Sequence, residues 1–394
     1  MPSRTDFLRL GDGAFLKRLE FPAVYHTVKD ELYEVDAAGF HELACCDGTL
    51  KVEDSGFPEE FLRFCLEEEI LDVSSRSSER RVEIGNNEIP SLRYLMLEVT
   101  DRCNLSCSHC YLGDSGDKEM TVQAVEDIVE EFAAMGGLRL MVTGGEPLLH
   151  GRFEEINGLV ADRPFRSILI TNGTLTDERT AGGLSFQEIQ VSLDGMESGH
   201  DFIRGNGSFR RTLAGLQHIR DAGKEISVAT MVHRGNLDEL DELRETVEEI
   251  GAVAWVLDVP CEAGRMKESG PEIEAGLDEA AAALERSFGA EQHQPSGEYA
   301  CGAHLACARV SGVLTKCGFY QEWNGGHVMD GLRDCWLKLP RMRLEELDCD
   351  CEYLHDCGGG CRFRAEAAYG RTAPDPLKCR QFGINLNVDR LRKR

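Results

Sequence analysis

Three closely spaced cysteines, Cys103, Cys107 and Cys110, constrain this chain more than any other feature. They stand in the run Glu98-Val-Thr-Asp-Arg-Cys-Asn-Leu-Ser-Cys-Ser-His-Cys-Tyr111, directly behind a strand expected at Tyr94–Thr100. A tetrahedral zinc site takes four ligands, usually as two C-x2-C pairs. Three soft ligands in so short a run suit three corners of a cubane iron–sulfur cluster, with the fourth iron left open to a substrate or cofactor. The plain alternative is three buried structural thiols.

The remaining cysteines sharpen the choice. There are sixteen in 394 residues, and nine of the thirteen outside the run fall between Cys301 and Cys379. A disulfide framework would spread over the fold, whereas a reducing cytosol favours thiolate ligation. No apolar run reaches the ~20 residues that span a bilayer, and Met1-Pro-Ser-Arg-Thr-Asp-Phe7 has no apolar stretch to act as a secretory signal. The expectation is a cytoplasmic protein without a membrane partner. Seventy acidic residues against 43 basic ones give a net charge of −27. Phosphate backbones repel such a surface, so nucleic acid is not an expected partner. The short basic tail Arg390-Leu-Arg-Lys-Arg394 reads as solvated surface.

The chain divides into an N-terminal unit (1–75), a polar linker (76–93), a core (94–290) and a cysteine-rich end (291–394). In the first, Ala14–Glu20 reads as a strand, and Ala23–Val28 with Leu32–Val35 as a hairpin. A helix over Ala37–Cys46 is stopped by Asp47-Gly48, and Pro58 opens a helix over Glu59–Glu69. Short strands followed by short helices suggest a winged-helix-like α+β unit. From Tyr94 onward strands and helices alternate, which predicts a parallel α/β sheet. The strands are Tyr94–Thr100, Leu138–Thr143, Ser167–Thr171, Glu188–Leu193, Ile226–Val232 and Val253–Val259, with helices such as Val122–Met135 and Phe209–Ala222 between them. Three loops at strand ends stand out, namely Thr143-Gly-Gly-Glu-Pro147, Thr171-Asn-Gly173 and Ser192-Leu-Asp-Gly195. Each alone signals only a turn. In order behind the cysteine run they form one joint pattern.

That pattern resembles the radical S-adenosylmethionine (SAM) enzymes. The resemblance implies an open six-stranded (β/α) barrel with its chemistry where the strands end. It also implies a 4Fe–4S cluster on Cys103, Cys107 and Cys110 whose open iron chelates SAM. Gly144, Gly145, Glu146 and Pro147 look like the family's glycine-rich loop, whose backbone holds the SAM amino group. Tyr111 is placed to contact the adenine, and Asn172 lies on the neighbouring strand-end loop as a further cofactor contact. The residue before the last cysteine, usually aromatic in the family, is His109 here, a change expected to alter packing around the adenine. Ser192 and Asp194 suit the ribose hydroxyls. Arg204 is a candidate partner for the SAM carboxylate, against a plain surface salt bridge. Asn236 reads as a helix cap.

The end of the chain is similar to the SPASM extension, an auxiliary-cluster domain of peptide-modifying members of that family. The likeness rests on Cys301-x10-Gly312-x4-Cys317 and on the later group Cys349, Cys351, Cys357, Cys361 and Cys379. It implies one auxiliary 4Fe–4S cluster on Cys301, Cys307, Cys317 and Cys361. A second would use Cys349, Cys351, Cys357 and Cys379, making three clusters in all. The family places two residues between the first pair of the later group, where this chain has only Asp350. Cys335 is therefore a substitute candidate, against a free buried thiol, and zinc is the structural alternative for the region. Cys45, Cys46, Cys65 and Cys261 match no ligand pattern and are expected to pack as buried apolar groups.

The N-terminal unit resembles the pyrroloquinoline-quinone peptide chaperone through Phe15-Leu-Lys-Arg18, Tyr33-Glu-Val-Asp36 and the Cys46-Asp-Gly48 turn. Domains of that kind take up a leader peptide as an added strand on a sheet edge; a structural appendage is the alternative. Together the resemblances imply reductive cleavage of SAM to a 5′-deoxyadenosyl radical, followed by crosslinking or maturation of a ribosomal precursor peptide or a partner enzyme. A low-potential electron donor is implied as well. Gly318 stands where sulfatase-maturing relatives carry a basic Asp, so formylglycine formation is not expected. A SAM-radical step in cofactor biosynthesis, such as decarboxylation of a heme precursor or maturation of a metal-cofactor enzyme, is the related alternative. A non-catalytic iron–sulfur protein that relays electrons or presents a peptide is the alternative from another class.

Overall fold

The computed structural model describes residues 2–289, 297–320 and 322–386. The basic tail from Arg390 lies outside the described residues. Six strands, Tyr94–Thr100, Arg139–Gly144, Arg166–Thr171, Glu188–Ser192, Glu225–Met231 and Ala254–Asp258, lie side by side in chain order, and each pairs parallel with the next. All six expected strands are present, with ends shifted by no more than about a residue, within the usual scatter of such bounds. Leu305–Ala308 then joins the free side of Tyr94–Thr100 in parallel. Val313–Thr315 and Asn324–His327 extend it antiparallel to nine strands.

Register explains why the sheet holds. Ala308, Leu97, Val142, Leu169, Ile189 and Ile226 are direct partners across successive strands, and all are buried. Because side chains alternate between faces, Leu95, Leu97 and Val99 point to this packed side. The helix Val122–Ala134 covers it with Val125, Ile128, Val129 and Phe132. Tyr94, Met96, Glu98 and Thr100 therefore point to the other side. A glutamate buried to 1% in the middle of a core strand needs a partner there.

The N-terminal unit has more strands than its sequence suggests. Ala14–Arg18, Pro22–His26 and Glu31–Glu34 form the expected antiparallel set. The first helix ends at Ala44, but Asp47-Gly48 does not open a turn. It begins a strand, Asp47–Lys51, that pairs with Phe7–Leu10, which in turn pairs with Leu71–Ser74. The stretch expected as linker contributes Ile84–Asn86, which runs parallel to Leu16–Arg18. Two small sheets with two helices result.

This unit is clamped to the starting ends of the core strands, opposite the ends that carry the three loops. Arg166, 2% exposed, donates Nη1 to the carbonyls of Thr27 (3.1 Å) and Val28 (3.3 Å). It also pairs with Glu188 (3.1 Å), Asp30 (3.5 Å) and Glu225. Lys17, 1% exposed, donates to the carbonyls of Gly137 (3.0 Å) and Pro164 (2.5 Å).

Burial pulls the Lys17 ammonium down to about 7, with Glu83 opposing. The sign of the consequence follows from the bound protons. Between about pH 7 and the usual lysine value near 10.4 the unfolded chain holds a proton that the folded one lacks, so stability rises with pH in that window and levels off below it. We expect the unfolding free energy of wild type minus that of Lys17→Met to grow by about 1.4 kcal/mol per pH unit from pH 8 to 9, read by chemical denaturation. A flat difference would show that Lys17 stays charged when buried.

Candidate metal and SAM centre

The cysteine run is held on three sides. Cys103 N donates to Ser115 Oγ (2.9 Å), Ser108 N to Ile203 O (2.8 Å), and Arg265 Nη1 to Cys107 O (3.0 Å). Cys107 is buried, and Cys103 and Cys110 are half-buried. Burial pushes the Cys103 thiol up to about 11, and Glu146, Cys107 and Cys110 add to the push. Such thiols keep their protons until a metal displaces them. Among the described residues no three His, Cys, Asp or Glu side chains converge tightly enough to grip a single ion. A cubane takes one thiolate at each iron and so sets its ligands farther apart, which suits three mutually interacting but not touching thiols.

The glycine-rich loop is pressed against the approach to this run. A Cβ at Gly144 (φ +153°) would lie 2.3 Å from Thr100 O, and one at Gly145 would lie 2.3 Å from Arg102 O. Only glycine fits at either position. Gly145 N bonds to Thr100 O and Glu146 N to Arg102 O, both at 2.8 Å. The Glu146 carboxylate is fully buried and accepts from Thr171 Oγ1 and Asn172 N, each at 2.8 Å. Asn172 Nδ2 then returns to Asn104 Oδ1 at 2.9 Å, inside the cysteine run. One circuit of hydrogen bonds therefore joins the cysteine run, Gly144–Pro147 and Thr171–Gly173. The side chains of Glu146 and Asn172 serve as internal braces, and Pro147 is buried.

At the fourth strand end the expected residues meet each other. Asp194, fully buried, pairs with Arg204 Nε, and its Oδ1 accepts from Met231 N at 2.7 Å. Arg204 is 10% exposed at its side chain, so a surface salt bridge is ruled out. Burial alone would raise the Asp194 carboxyl, but Arg204, His109 and His200 overcome it and hold the group below the usual carboxylate range. Arg204 also acts on the Cys107 thiol. Ser192, two residues before Asp194 in the sequence, is half-buried. Asn236 does not cap its helix through its side chain. Its Nδ2 donates to Asp194 O (2.7 Å) and Met231 O (2.9 Å), tying the fourth strand end to the fifth. His109 is buried 4.0 Å from Asp194, pulled down to about 3 by burial, and its Nδ1 has no partner among the described residues.

Tyr111 has partners within the protein. Its hydroxyl donates to Glu98 Oε1 (3.2 Å), and its ring lies edge-on to Phe319. The ring is thus turned toward the cysteine-rich end. Glu98 there also pairs with Arg309 Nε (3.0 Å) and accepts from Cys307 Sγ (3.7 Å). Glu98 and Arg309 were not singled out from the sequence; the one available signal was a charge inside an apolar strand.

The later cysteines sort into two neighbourhoods. Burial, then Cys361 and Cys317, push the Cys301 thiol up to about 12, and Cys361 also acts on Cys317. Cys307 adjoins this group through Cys317. Cys349 interacts with Cys351 and Cys357, and Cys379 with all three. The short Cys349-x-Cys351 spacing therefore leaves both thiols in one group. Cys335 is fully buried and donates to His327 O (3.1 Å), away from both groups. Cys46 and Cys65 pack in the N-terminal core, but Cys45 is exposed. Cys261 is buried, and Cys361 and burial push its thiol well up.

Residues 97–249 match the Radical SAM superfamily. The matched stretch holds the cysteine run, the glycine-rich loop and Asp194. Over 187 residues it is 35% identical to an AdoMet-dependent heme synthase of Methanosarcina barkeri, covering 45% of this chain and 53% of that one. It is 25% identical over 279 residues to the sporulation killing factor maturation protein SkfB of Bacillus subtilis, covering 65% and 68%. The chain spans about half the length of the heme synthases it matches. The crystal structure of Streptococcus suis SuiB bound to S-adenosylmethionine shares the fold over 94% of this chain and 99% of that one, with a TM-score of 0.69 at 13% identity.

Proposed function

We propose that this chain cleaves SAM reductively to a 5′-deoxyadenosyl radical and uses it to crosslink or mature a peptide or protein. The hydrogen-bond circuit that binds the cysteine run to the glycine-rich loop carries this reading, because an electron-relay protein has no need to fix such a loop beside its thiols. Cys103, Cys107 and Cys110 hold the reducible cluster, and the backbone of Gly144–Pro147 receives the SAM amino group. A cluster with an open iron supplies the electron that splits the sulfonium. Asp194 sets the Arg204 guanidinium beside Cys107, where its remaining N–H groups face the SAM carboxylate. Ser192 and Tyr111 border the nucleoside. Cys301, Cys307, Cys317 and Cys361 hold one auxiliary cluster, and Cys349, Cys351, Cys357 and Cys379 the other.

The substrate reading is a ribosomal precursor peptide whose leader adds to the edge strand Glu31–Glu34, flanked by Tyr33 and the 40% exposed Phe64. Heme-precursor chemistry is the second reading, favoured by the identity to the heme synthases. The peptide reading has the wider support, since the SuiB likeness extends over the N-terminal unit and another SuiB structure holds precursor peptide SuiA. Anaerobically reconstituted protein, reduced with dithionite, should release 5′-deoxyadenosine from SAM. Peptides encoded beside the gene should then change mass under turnover. No nucleoside release sinks the catalytic reading; turnover of an iron porphyrin with no peptide modified replaces the substrate reading.

A further inference from the structure

The edge strand Glu31–Glu34 is bordered by acid on both of its faces. Pro22–His26 pairs with it on one side, and among the described residues no strand pairs with the other. Val24, the partner of Tyr33, is buried in one cluster with Leu62 and Cys65 of the helix Glu59–Glu67. Side chains alternate along a strand, so Glu31 and Tyr33 lie on the helix side. Leu32 and Glu34 lie on the other, where Leu32 packs against Leu19, Tyr25 and Leu138. Tyr33 meets Phe64 edge-on at 5.7 Å and donates to Glu68 Oε2 at 2.8 Å. These contacts fix the helix beside the open edge and leave Phe64 exposed there.

On that helix Glu60 and Glu67 stand four residues before and three after Phe64, which sets all three on one face. Glu31, Glu34, Glu60 and Glu67 are exposed, and none has an ion pair among the described residues. The nearby cations do not offset them. Lys29 is taken by Glu68 (3.3 Å) and Glu69 (3.7 Å). Arg63, exposed, is the one basic residue of the helix Glu59–Glu67. Four unpaired carboxylates therefore stand against one guanidinium around an open strand edge. We propose that the peptide strand taken up at this edge is cationic, with an apolar residue on Phe64 and Tyr33 and lysine or arginine to either side of it. This rests on the reading that a leader adds to the edge strand Glu31–Glu34.

Backbone hydrogen bonds give an added strand its affinity whatever its sequence, so side chains must do the selecting. They alternate between the two faces. One face of the added strand meets Tyr33 and Phe64 with Glu31 and Glu67 beside them, and the other meets Glu34. An acidic peptide would bring like charges together on both faces, whereas a cationic one gains on both. The net charge of −27 speeds the encounter with any cationic peptide but does not choose the site.

Fluorescence anisotropy with the full-length protein tests this. The probe is a short labelled peptide in which lysine alternates with valine, and its twin carries glutamate in place of every lysine. At about 0.1 M salt the lysine peptide should bind and the glutamate twin should not. The quadruple variant Glu31→Gln, Glu34→Gln, Glu60→Gln and Glu67→Gln should bind the lysine peptide about tenfold more weakly, since each exposed contact adds little alone. Glu130→Gln, an exposed acid on the core helix Val122–Ala134, should leave binding unchanged. Phe64→Ala reads the edge itself and should weaken binding as well. If Phe64→Ala weakens binding but the quadruple variant does not, or if the glutamate twin binds equally well, the proposal is overturned and the edge reading stands. Binding that ignores both changes is diffuse attraction to an acidic surface, and the edge reading then falls together with the proposal. A lysine peptide that does not bind overturns the proposal alone.

Discussion

Replacing Cys103, Cys107 or Cys110 by alanine should abolish 5′-deoxyadenosine formation and lower the reconstituted iron content from about twelve to about eight per chain. The loss is all-or-none because the three thiols share one small run, and no fourth cysteine lies within it to stand in. Cys335→Ala is the matched control. That thiol is fully buried and donates only to a backbone carbonyl, so its removal should cost some stability and no iron. Iron assay with sulfide assay on anaerobically reconstituted variants reads both arms. A cysteine-run variant that still forms 5′-deoxyadenosine would remove the basis for the site as described.

Asp194→Asn should destabilise the protein by about 3–5 kcal/mol, the usual effect of leaving one member of a buried ion pair without its partner. Arg204 would remain buried beside Cys107 with no countercharge, while the asparagine could still accept from Met231 N. The double variant Asp194→Asn with Arg204→Met should lose clearly less than the sum of the two single changes, since removing both charges removes the stranded one. Chemical denaturation of the four proteins closes this cycle. Additive losses would mean that the two side chains do not act as a pair. The double variant should fold yet bind SAM poorly, which separates a structural role for the pair from a positioning one.

The core sheet was legible because each strand is a short apolar run closed by a Gly, Asp or Asn turn, and because buried parallel strands need no alternation to be recognised. The short strands Phe7–Leu10 and Asp47–Lys51 were not, since four or five residues carry little pattern and Asp47-Gly48 has the chemistry of a turn. The sequence also groups the cysteines by their spacing, because local spacing reports local proximity. It did not reveal what lies opposite them. Glu98 meets Arg309, and Asp258 meets Arg364, only when distant segments converge on the mouth of the sheet. Glu146, Asp194 and Arg204 were chosen as residues facing a ligand. They prove to be tied first to one another or to neighbouring strand ends, and this is what fixes the loops in place.

An iron corner free of protein ligand, facing the glycine-rich loop, is the central claim. Electron paramagnetic resonance of the dithionite-reduced, fully loaded protein, recorded before and after SAM is added, tests it most directly. One of the cluster signals should change its g values on SAM addition, and that signal should be missing from Cys107→Ala. A spectrum that SAM leaves unaltered would contradict the account.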